Sequence, residues 1–210
     1  INWACAKEIA SIIEIEDIEN ADLRDINKIL ASTYYANFSI FQSIPDTWAI
    51  DQVFPIIPIH RHKEEPLINA TFADLTCDSD GKLNRFINNG NIKTLLKLHE
   101  LIDNEEYYVG IFLAGAYQEA LGNLHNLFGN TNIIHIDINH NNSYIISNMI
   151  KEDSKKDVLK AFDYKSEDLV EMIRLEIESA INNERLTIEE SQKLLTQIET
   201  SLRNSTYLSN

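Results

Sequence analysis

The segment LINATFADLTCDSDG, Leu67–Gly81, joins a predicted strand to a strong turn signal. Leu67–Thr76 has the apolar and branched residues that are typical of a strand. Asp78–Gly81 reads Asp-Ser-Asp-Gly, a composition typical of a tight turn. The sequence therefore predicts a strand that ends in an acidic turn, with Cys77 at the junction.

More strands are predicted on both sides of this segment. Asn37–Gln42 alternates like a half-buried strand, and Tyr107–Leu113 is rich in aromatic and branched residues. Ile133–Ile138 and Tyr144–Ile146 predict a hairpin. Three prolines are expected to exclude helix from Ser43–Ile59 and to limit its strands to sheet edges.

Helical patterns occupy both ends of the chain and occur once among the strands. They are Lys7–Glu19, Asp22–Ser32, Tyr117–Leu127, a helix capped by Ser166, and a last helix with a capping box from Thr187 and Glu190. About six strands between helical ends indicate an α+β fold around an antiparallel sheet or barrel. We expect a helical segment at 1–33, a β domain at 34–150 and a helical segment at 151–210.

Charge and cysteine content restrict the function classes. The 210 residues carry 18 Lys+Arg and 33 Asp+Glu, a formal net charge of -15. Nucleic acid and anionic membrane surfaces are therefore poor partners, whereas a small cation is attracted, although acidity also serves solubility. Two distant cysteines, no apolar run of membrane-spanning length and no signal peptide at the start predict a cytoplasmic location.

Cys77 and Tyr117 are the first candidates for chemistry. Cys77 is followed directly by a turn with two carboxylates, a setting that suits a thiol acting as a proton donor better than as a nucleophile. A buried cysteine before an acidic turn is the simpler interpretation. The segment Gly115–Tyr117, at a strand-to-helix junction, would let a phosphate approach the backbone and the Tyr117 hydroxyl, although a packed tyrosine ring is again simpler.

Two other residues attract attention for weaker reasons. Asp46 follows Pro45 and has a turn residue as its default interpretation. His125 shares a predicted helical face with Tyr117, where a packed histidine is commoner than a catalytic one. The remaining histidines show no metal-ligand spacing, so no metal site is predicted.

Taken together, four motifs make the sequence very similar to the biosynthetic arginine decarboxylases. The resemblance runs from about Asp22 to Phe128 and resumes at Thr206–Leu208. The motifs are YYANFSIFQS (Tyr34–Ser43), PDTWAIDQ (Pro45–Gln52), LTCDSDG (Leu75–Gly81) and GAYQEALGNLHNLFG (Gly115–Gly129). Diaminopimelate and ornithine decarboxylases share only the shorter cysteine–aspartate and glycine–alanine–tyrosine elements.

The resemblance implies a two-domain enzyme that uses pyridoxal 5'-phosphate and produces agmatine for polyamine synthesis. An N-terminal α/β barrel would hold the cofactor lysine, and this chain would supply a C-terminal β domain of the alanine-racemase type with helical additions. The active site would form between the barrel of one subunit and the β domain of its partner in a homo-oligomer. Magnesium is a further cofactor that the resemblance allows.

The resemblance also implies roles for individual residues. Cys77 would return a proton to the α-carbon after carbon dioxide leaves, and Asp78 would bind the guanidinium of L-arginine. Tyr117 would hold the cofactor phosphate, and Asp46 would line the same substrate pocket. His125 receives no role.

The barrel, its Schiff-base lysine and its glycine-rich phosphate loop have no counterpart in this sequence. We therefore expect the 210-residue chain alone not to decarboxylate arginine. Two alternatives stay open: a non-catalytic dimerisation or regulatory module that kept the fold, and a related decarboxylase acting on ornithine or lysine.

Overall fold

The computed structural model describes residues 4, 5, 8, 27–139, 141 and 143–209. Its strands are β1 (Ser32–Tyr35), β2 (Ile56–Pro58), β3 (Ile68–Ala73), β4 (Lys82–Leu83), β5 (Phe86–Asn88), β6 (Asn91–Lys93), β7 (Leu96–Leu98), β8 (Val109–Ile111), β9 (Ile133–Ile138) and β10 (Tyr144–Ile150). Its helices are α1 (Ile40–Ser43), α2 (Pro45–Ala49), α3 (Gln118–Leu121), α4 (Lys155–Ala161), α5 (Ser166–Asn182) and α6 (Ile188–Arg203).

Two compact units divide these residues. The first lies within Ile1–Ile40 and Ile44–Ala120, and the second within Phe41–Ser43 and Leu121–Asn210. None of the helices in the described residues is long and apolar enough to cross a membrane. The predicted helix Lys7–Glu19 lies almost wholly outside the described residues. For Asp22–Ser32, only residues 27–30 are seen as helix, and Ser32 already begins β1.

The first unit is built around β3, the strand predicted at Leu67–Thr76. β3 pairs in parallel with β1 and antiparallel with both β4 and β7. Its inward side chains join a core that includes Ile40, Phe72, Phe86 and Leu98. Two further pairs, β2–β8 and β5–β6, are antiparallel. The α+β class is thus confirmed as several small sheets, which do not close into a barrel within the described residues.

The strand predicted at Asn37–Gln42 is wrong, because Ile40 begins the short helix α1. The backbone N–H of Ile40 donates to the Asp74 carboxylate at 2.8 Å, and the N–H of Ile44 donates to the Ile40 carbonyl at 2.9 Å. The side chains of Ile40 and Ile44 are both buried. A carboxylate 34 positions away in sequence therefore caps a helical turn where local alternation suggests a strand.

The expectation that prolines exclude helix from Ser43–Ile59 also fails, at α2. Pro45 occupies the first turn of this helix, where the missing N–H removes no intrahelical bond. The expectation that strands in Ser43–Ile59 lie at sheet edges agrees with the structure, since β8 is the one strand that pairs with β2 among the described residues. The position of a proline within a helix, rather than the number of prolines, therefore determines whether Ser43–Ile59 can contain a helix.

The second unit contains the predicted hairpin and the C-terminal helices. β9 and β10 pair antiparallel, and β10 continues to Ile150. The predicted capping box is confirmed at Thr187 and Glu190, and Ser154 with Asp157 forms another. Ser166 does not cap α5, because Lys165 takes the cap position without a side-chain bond and Ser166 is the first helical residue.

Candidate active site and family membership

Asp74 organises the loop that carries Cys77 and Asp78. Its side chain is buried, and its Oδ1 accepts hydrogen bonds from the Thr76 N–H at 2.8 Å and the Thr76 hydroxyl at 2.7 Å. Its Oδ2 accepts the Ile40 N–H described above. A buried carboxylate with three donors holds the start of the loop in one conformation.

The acidic turn itself is closed by Asp78. Its Oδ1 accepts the Asp80 N–H at 2.9 Å, and its carbonyl accepts the Gly81 N–H at 3.1 Å. Gly81 lies close to the side chains of both Asp74 and Thr76. A β-carbon added at Gly81 would lie 2.5 Å from the Thr76 hydroxyl oxygen. Cys77 is exposed, so the interpretation as a buried small hydrophobe is wrong. The thiol is therefore presented at the rim of the sheet.

Asp46 meets the Gly115–Tyr117 segment through Gln118. The Asp46 N–H donates to Gln118 Oε1 at 3.1 Å, and Gln118 Nε2 donates to Asp46 Oδ2 at 2.6 Å. Gln118 Nε2 also donates to the Ala116 carbonyl at 3.2 Å. Since Gln118 is only 3% exposed, this amide fixes the segment to α2, and Asp46 is more than a turn residue.

Tyr117 projects from this anchored segment in an unusual backbone conformation. Its φ is +65°, in the left-handed region, which is an outlier for an aromatic residue and costs of order 1–3 kcal/mol. The side chain is 77% exposed, and open space surrounds the position a β-carbon would take at Gly115. The Gln118 bonds hold the strained turn that presents the phenol, so the packed-ring interpretation is wrong.

The other end of α2 reaches the acidic turn. Trp48 Nε1 donates to Asp80 Oδ2 at 3.2 Å. A cavity of about 210 Å³ opens here, lined by Trp48, Ser79 and Asp80 among others. The five-residue helix α2 thus contacts both candidate segments. Its Asp46 bonds to Gln118, next to Tyr117, and its Trp48 bonds to Asp80 in the acidic turn that follows Cys77.

The predicted helix Tyr117–Leu127 is wrong beyond Leu121. α3 ends at Leu121, and a separate 3-10 turn covers His125–Leu127. The Asn123 side chain accepts the His125 N–H at 3.0 Å, which offers the backbone an alternative to helix after Gly122. His125 does not share a helical face with Tyr117. Its ring packs on Phe41 at a centroid distance of 4.3 Å, as the packing interpretation expected.

Comparison with known proteins gives this geometry its context. A family described as "Arginine decarboxylase C-terminal helical extension" matches residues 156–208. Biosynthetic arginine decarboxylases of Prochlorococcus marinus subsp. pastoris and of another Prochlorococcus marinus strain are 66% and 65% identical over all of this chain. Over its whole length, the chain matches the C-terminal part of biosynthetic arginine decarboxylases. It spans about a third of the length of these relatives, 32% in each case.

A solved structure from the same family agrees in fold. The biosynthetic arginine decarboxylase SpeA from Campylobacter jejuni matches 97% of this chain and 35% of its own, with a TM-score of 0.75 and 30% identity. The α+β arrangement is therefore shared with a member of the arginine decarboxylase family at moderate sequence identity.

In this chain, the end of the matched helical extension contacts the end of the glycine–asparagine–leucine motif. Thr206 Oγ1 accepts the Gly129 N–H at 3.0 Å, and the Tyr207 hydroxyl donates to the Gly129 carbonyl at 2.8 Å. The rings of Tyr207 and Phe128 stack at 5.1 Å. Thr206 and Tyr207 thus bond to Gly129 from 77 and 78 positions away in sequence, within the second unit. We call the contact of Thr206 and Tyr207 with Phe128 and Gly129 the clasp.

Sequence reasoning missed three residues that hold the candidate site. Gln118 and Trp48 lie inside the quoted motifs but received no role, and Asp74 lies just outside one of them. Asp74 could have been found, since an acid that follows an apolar strand two residues before a threonine is a common local hydrogen-bonding pattern. No local signal pairs Gln118 with Asp46. In the described part of the chain, no three His, Cys, Asp or Glu side chains gather as a metal site requires.

Proposed function

We propose that this chain supplies one side of the active site of a pyridoxal 5'-phosphate-dependent arginine decarboxylase, which converts L-arginine to agmatine and carbon dioxide. The single observation that carries the proposal is α2, which contacts the Cys77 loop and the Tyr117 segment at once. The remainder of the site would come from a barrel domain of a partner subunit in a cytoplasmic homo-oligomer. The β domain would be completed as an alanine-racemase-type barrel.

The side chains of Tyr117 and Asp78 fit the groups that such a site must bind. The Tyr117 phenol can donate a hydrogen bond to a phosphate oxygen, and the open space at Gly115 leaves room for it. Asp78 is a carboxylate that can accept a bidentate pair of bonds from a guanidinium. Magnesium stays an implication of the family resemblance.

The proposed chemistry assigns a proton transfer to Cys77. When bound, pyridoxal phosphate supplies the electron sink that allows carbon dioxide to leave the α-carbon. The Cys77 Sγ–H then donates its proton to that carbon, and the resulting thiolate is reprotonated from solvent, which its exposure permits. Asp46 holds Gln118, and through it Tyr117, so we propose it as a positioning residue in the substrate pocket.

The alternative of a non-catalytic module is not favoured, because the matched relatives are named as decarboxylases. The proposal of arginine, rather than ornithine or lysine, as the substrate rests on the names of the same relatives.

The experiment that tests the phosphate contact is Tyr117→Phe in the protein at its full encoded length. Removing one hydrogen bond to a charged group should weaken cofactor binding by about tenfold, measured by titration of the cofactor absorbance. Tyr35→Phe is the matched control, since Tyr35 is 79% exposed and outside the candidate site. Equal cofactor affinity in the two variants would remove Tyr117 from the site.

A further inference from the structure

The acidic turn after Cys77 contains two carboxylates, Asp78 and Asp80, which make different contacts. The Asp78 Oδ1 accepts the N–H of Asp80 at 2.9 Å, and this bond lies within the turn itself. The Asp80 Oδ2 accepts the indole N–H of Trp48 at 3.2 Å, and this bond reaches α2, 32 positions earlier in the chain. One carboxylate therefore closes the turn, and the other attaches the turn to a neighbouring helix.

The loop that carries Cys77 is closed at its base by the backbone. The Asp74 N–H donates to the Gly81 carbonyl at 2.9 Å, which fixes the two ends of the loop next to each other. Cys77 lies between these ends in sequence and is exposed. The bond from Trp48 to Asp80 therefore restrains the loop beyond its base, three positions after Cys77 in sequence.

The helix α2 also holds the segment that presents Tyr117. Asp46, two positions before Trp48, bonds to Gln118 in both directions, at 3.1 Å and 2.6 Å. The proposed phosphate ligand and the proposed proton donor are thus both attached to one short helix. A general acid must lie within hydrogen-bond reach of the atom that it protonates. The two attachments to α2 therefore set the distance on which the proton transfer depends.

We propose that Asp80 and Trp48 are positioning residues for the proton transfer from Cys77, and that only Asp78 of the two carboxylates binds the substrate guanidinium. This inference rests on the proposed function. Asp80 accepts a hydrogen bond from the indole, so its role requires an oxygen atom but no negative charge. Asp78 must pair with a guanidinium, so its role requires the charge. The bond between Asp80 and Trp48 lies within this chain and needs no other part of the polypeptide.

Removal of each charge without a change of shape separates the two roles, in the protein at its full encoded length with arginine and cofactor present. Asp80→Asn keeps an oxygen that can accept the indole N–H, so kcat and KM should stay within about twofold of the parent values. Asp78→Asn removes the charge that pairs with the guanidinium, and KM for arginine should rise at least roughly tenfold. An equal rise of KM in both variants would make Asp80 a substrate ligand and overturn the proposal.

Removal of the hydrogen bond itself should slow the reaction. Trp48→Phe keeps an aromatic ring without the donor, and Asp80→Ala removes the acceptor. Each should lower kcat by roughly ten- to a hundredfold, because a displacement of about 1 Å can cost a factor of about 100. The cofactor affinity should not change, since the bonds between Asp46 and Gln118 remain.

The same variants distinguish a failure of this inference from a failure of the proposed function. Parent kcat in both Trp48→Phe and Asp80→Ala, with agmatine formation lost in Cys77→Ala, would overturn the positioning role and leave the proposed function standing. The parent rate in Cys77→Ala would overturn the proposed function and this inference with it. Asp80→Ala changes an exposed turn residue and carries the test if Trp48→Phe does not fold.

Hydrogen exchange provides a readout that needs neither turnover nor cofactor. In the cofactor-free protein, the protection factors of the backbone amides of residues 78–81 should fall about fivefold in Trp48→Phe and Asp80→Ala, because the loss of one hydrogen bond favours local opening. Asp80→Asn should keep the parent protection factors. Equal protection in the parent and all three variants would show that the indole does not hold the turn, and the proposal would fail.

Discussion

Asp46 and Gln118 hydrogen-bond to each other in both directions, although 72 positions separate them in sequence. The backbone N–H of Asp46 donates to the amide oxygen of Gln118, and the amide nitrogen donates back to the carboxylate. This pair fixes the strained turn at Tyr117 to α2. The proposed phosphate contact of Tyr117 would therefore depend on Gln118, which is not among the residues proposed to bind substrate or cofactor.

Gln118→Ala should weaken cofactor binding and also destabilise the protein. The substitution leaves the N–H of Asp46 without this acceptor, which costs roughly 1–3 kcal/mol of unfolding free energy. Denaturant unfolding and cofactor titration measure the two effects. Glu119→Ala, at the exposed next position of α3, is the control and should change neither quantity. Unchanged cofactor affinity in Gln118→Ala would separate the anchor from the proposed site.

Gly81→Ala should destabilise the Cys77 loop. A β-carbon there would clash with the side chains of Asp74 and Thr76. The Gly81 N–H also donates to the Asp78 carbonyl, which holds the Gly81 backbone in place. Overpacking of this kind typically costs about 1–3 kcal/mol, measured by denaturant unfolding. Gly115→Ala meets open space and should leave the unfolding free energy within about 0.5 kcal/mol. Equal losses at the two positions would contradict the close approach at Gly81.

Tyr207→Phe tests the clasp between the C-terminal motif and Gly129. The variant keeps the ring that stacks on Phe128 and loses the bond to the Gly129 carbonyl. We expect a loss of about 1 kcal/mol in unfolding free energy, and a larger loss for Tyr207→Ala. Tyr164→Phe removes the hydroxyl of a tyrosine that is 58% exposed in the same unit, and should be neutral. A neutral Tyr207→Phe would show that stacking alone holds the clasp.

Acid should weaken the last helix through Glu190. Hydrogen bonds from the Thr187 backbone and hydroxyl lower the pKa of the Glu190 carboxyl below its usual value of 4.5. A lowered folded-state pKa stabilises the folded state above the unfolded-state pKa, and the contribution is lost as pH falls through the folded value.

Glu190→Gln should flatten this pH dependence, because glutamine can also accept the bond of a capping box but does not titrate. The measurement is the melting temperature between about pH 6 and pH 3. Glu189→Gln, at the neighbouring first-turn position, should retain the parent's profile. Identical slopes in Glu190→Gln and the parent protein would show that this cap does not contribute.

The sequence predicts correctly those elements whose hydrogen-bond partners are close to each other in the chain. β9 and β10 are close in sequence, and the two residues of the Thr187–Glu190 box are three positions apart. Alternation in Asn37–Gln42 predicts a strand and misses the helix that begins at Ile40, because the capping carboxylate, Asp74, lies 34 positions away in sequence. The predicted helix Tyr117–Leu127 runs too far because the Asn123 side chain accepts the backbone N–H of His125. Non-local partners account for the first error and local competition for the second.

The candidate site followed the same division. Cys77, Asp78 and Tyr117 were suggested by residue type and motif, and they stay predictions as catalytic or binding groups. Asp74, which supports the Cys77 loop, carries a local signal in its bonds to Thr76. The contacts of Gln118 and Trp48 are not predictable from local sequence, because each joins two different segments. Residue types suggest chemistry, whereas tertiary hydrogen bonds decide where it is presented.

Replacing Cys77 by alanine in the protein at its full encoded length tests the central claim most directly. With arginine and cofactor present, the rate of agmatine formation should fall by at least roughly a hundredfold, the lower range for general acid catalysis. The cofactor absorbance should be unchanged, and Cys5→Ala, at the other exposed cysteine, should keep the parent rate. Agmatine formation at the parent rate in Cys77→Ala would contradict the account.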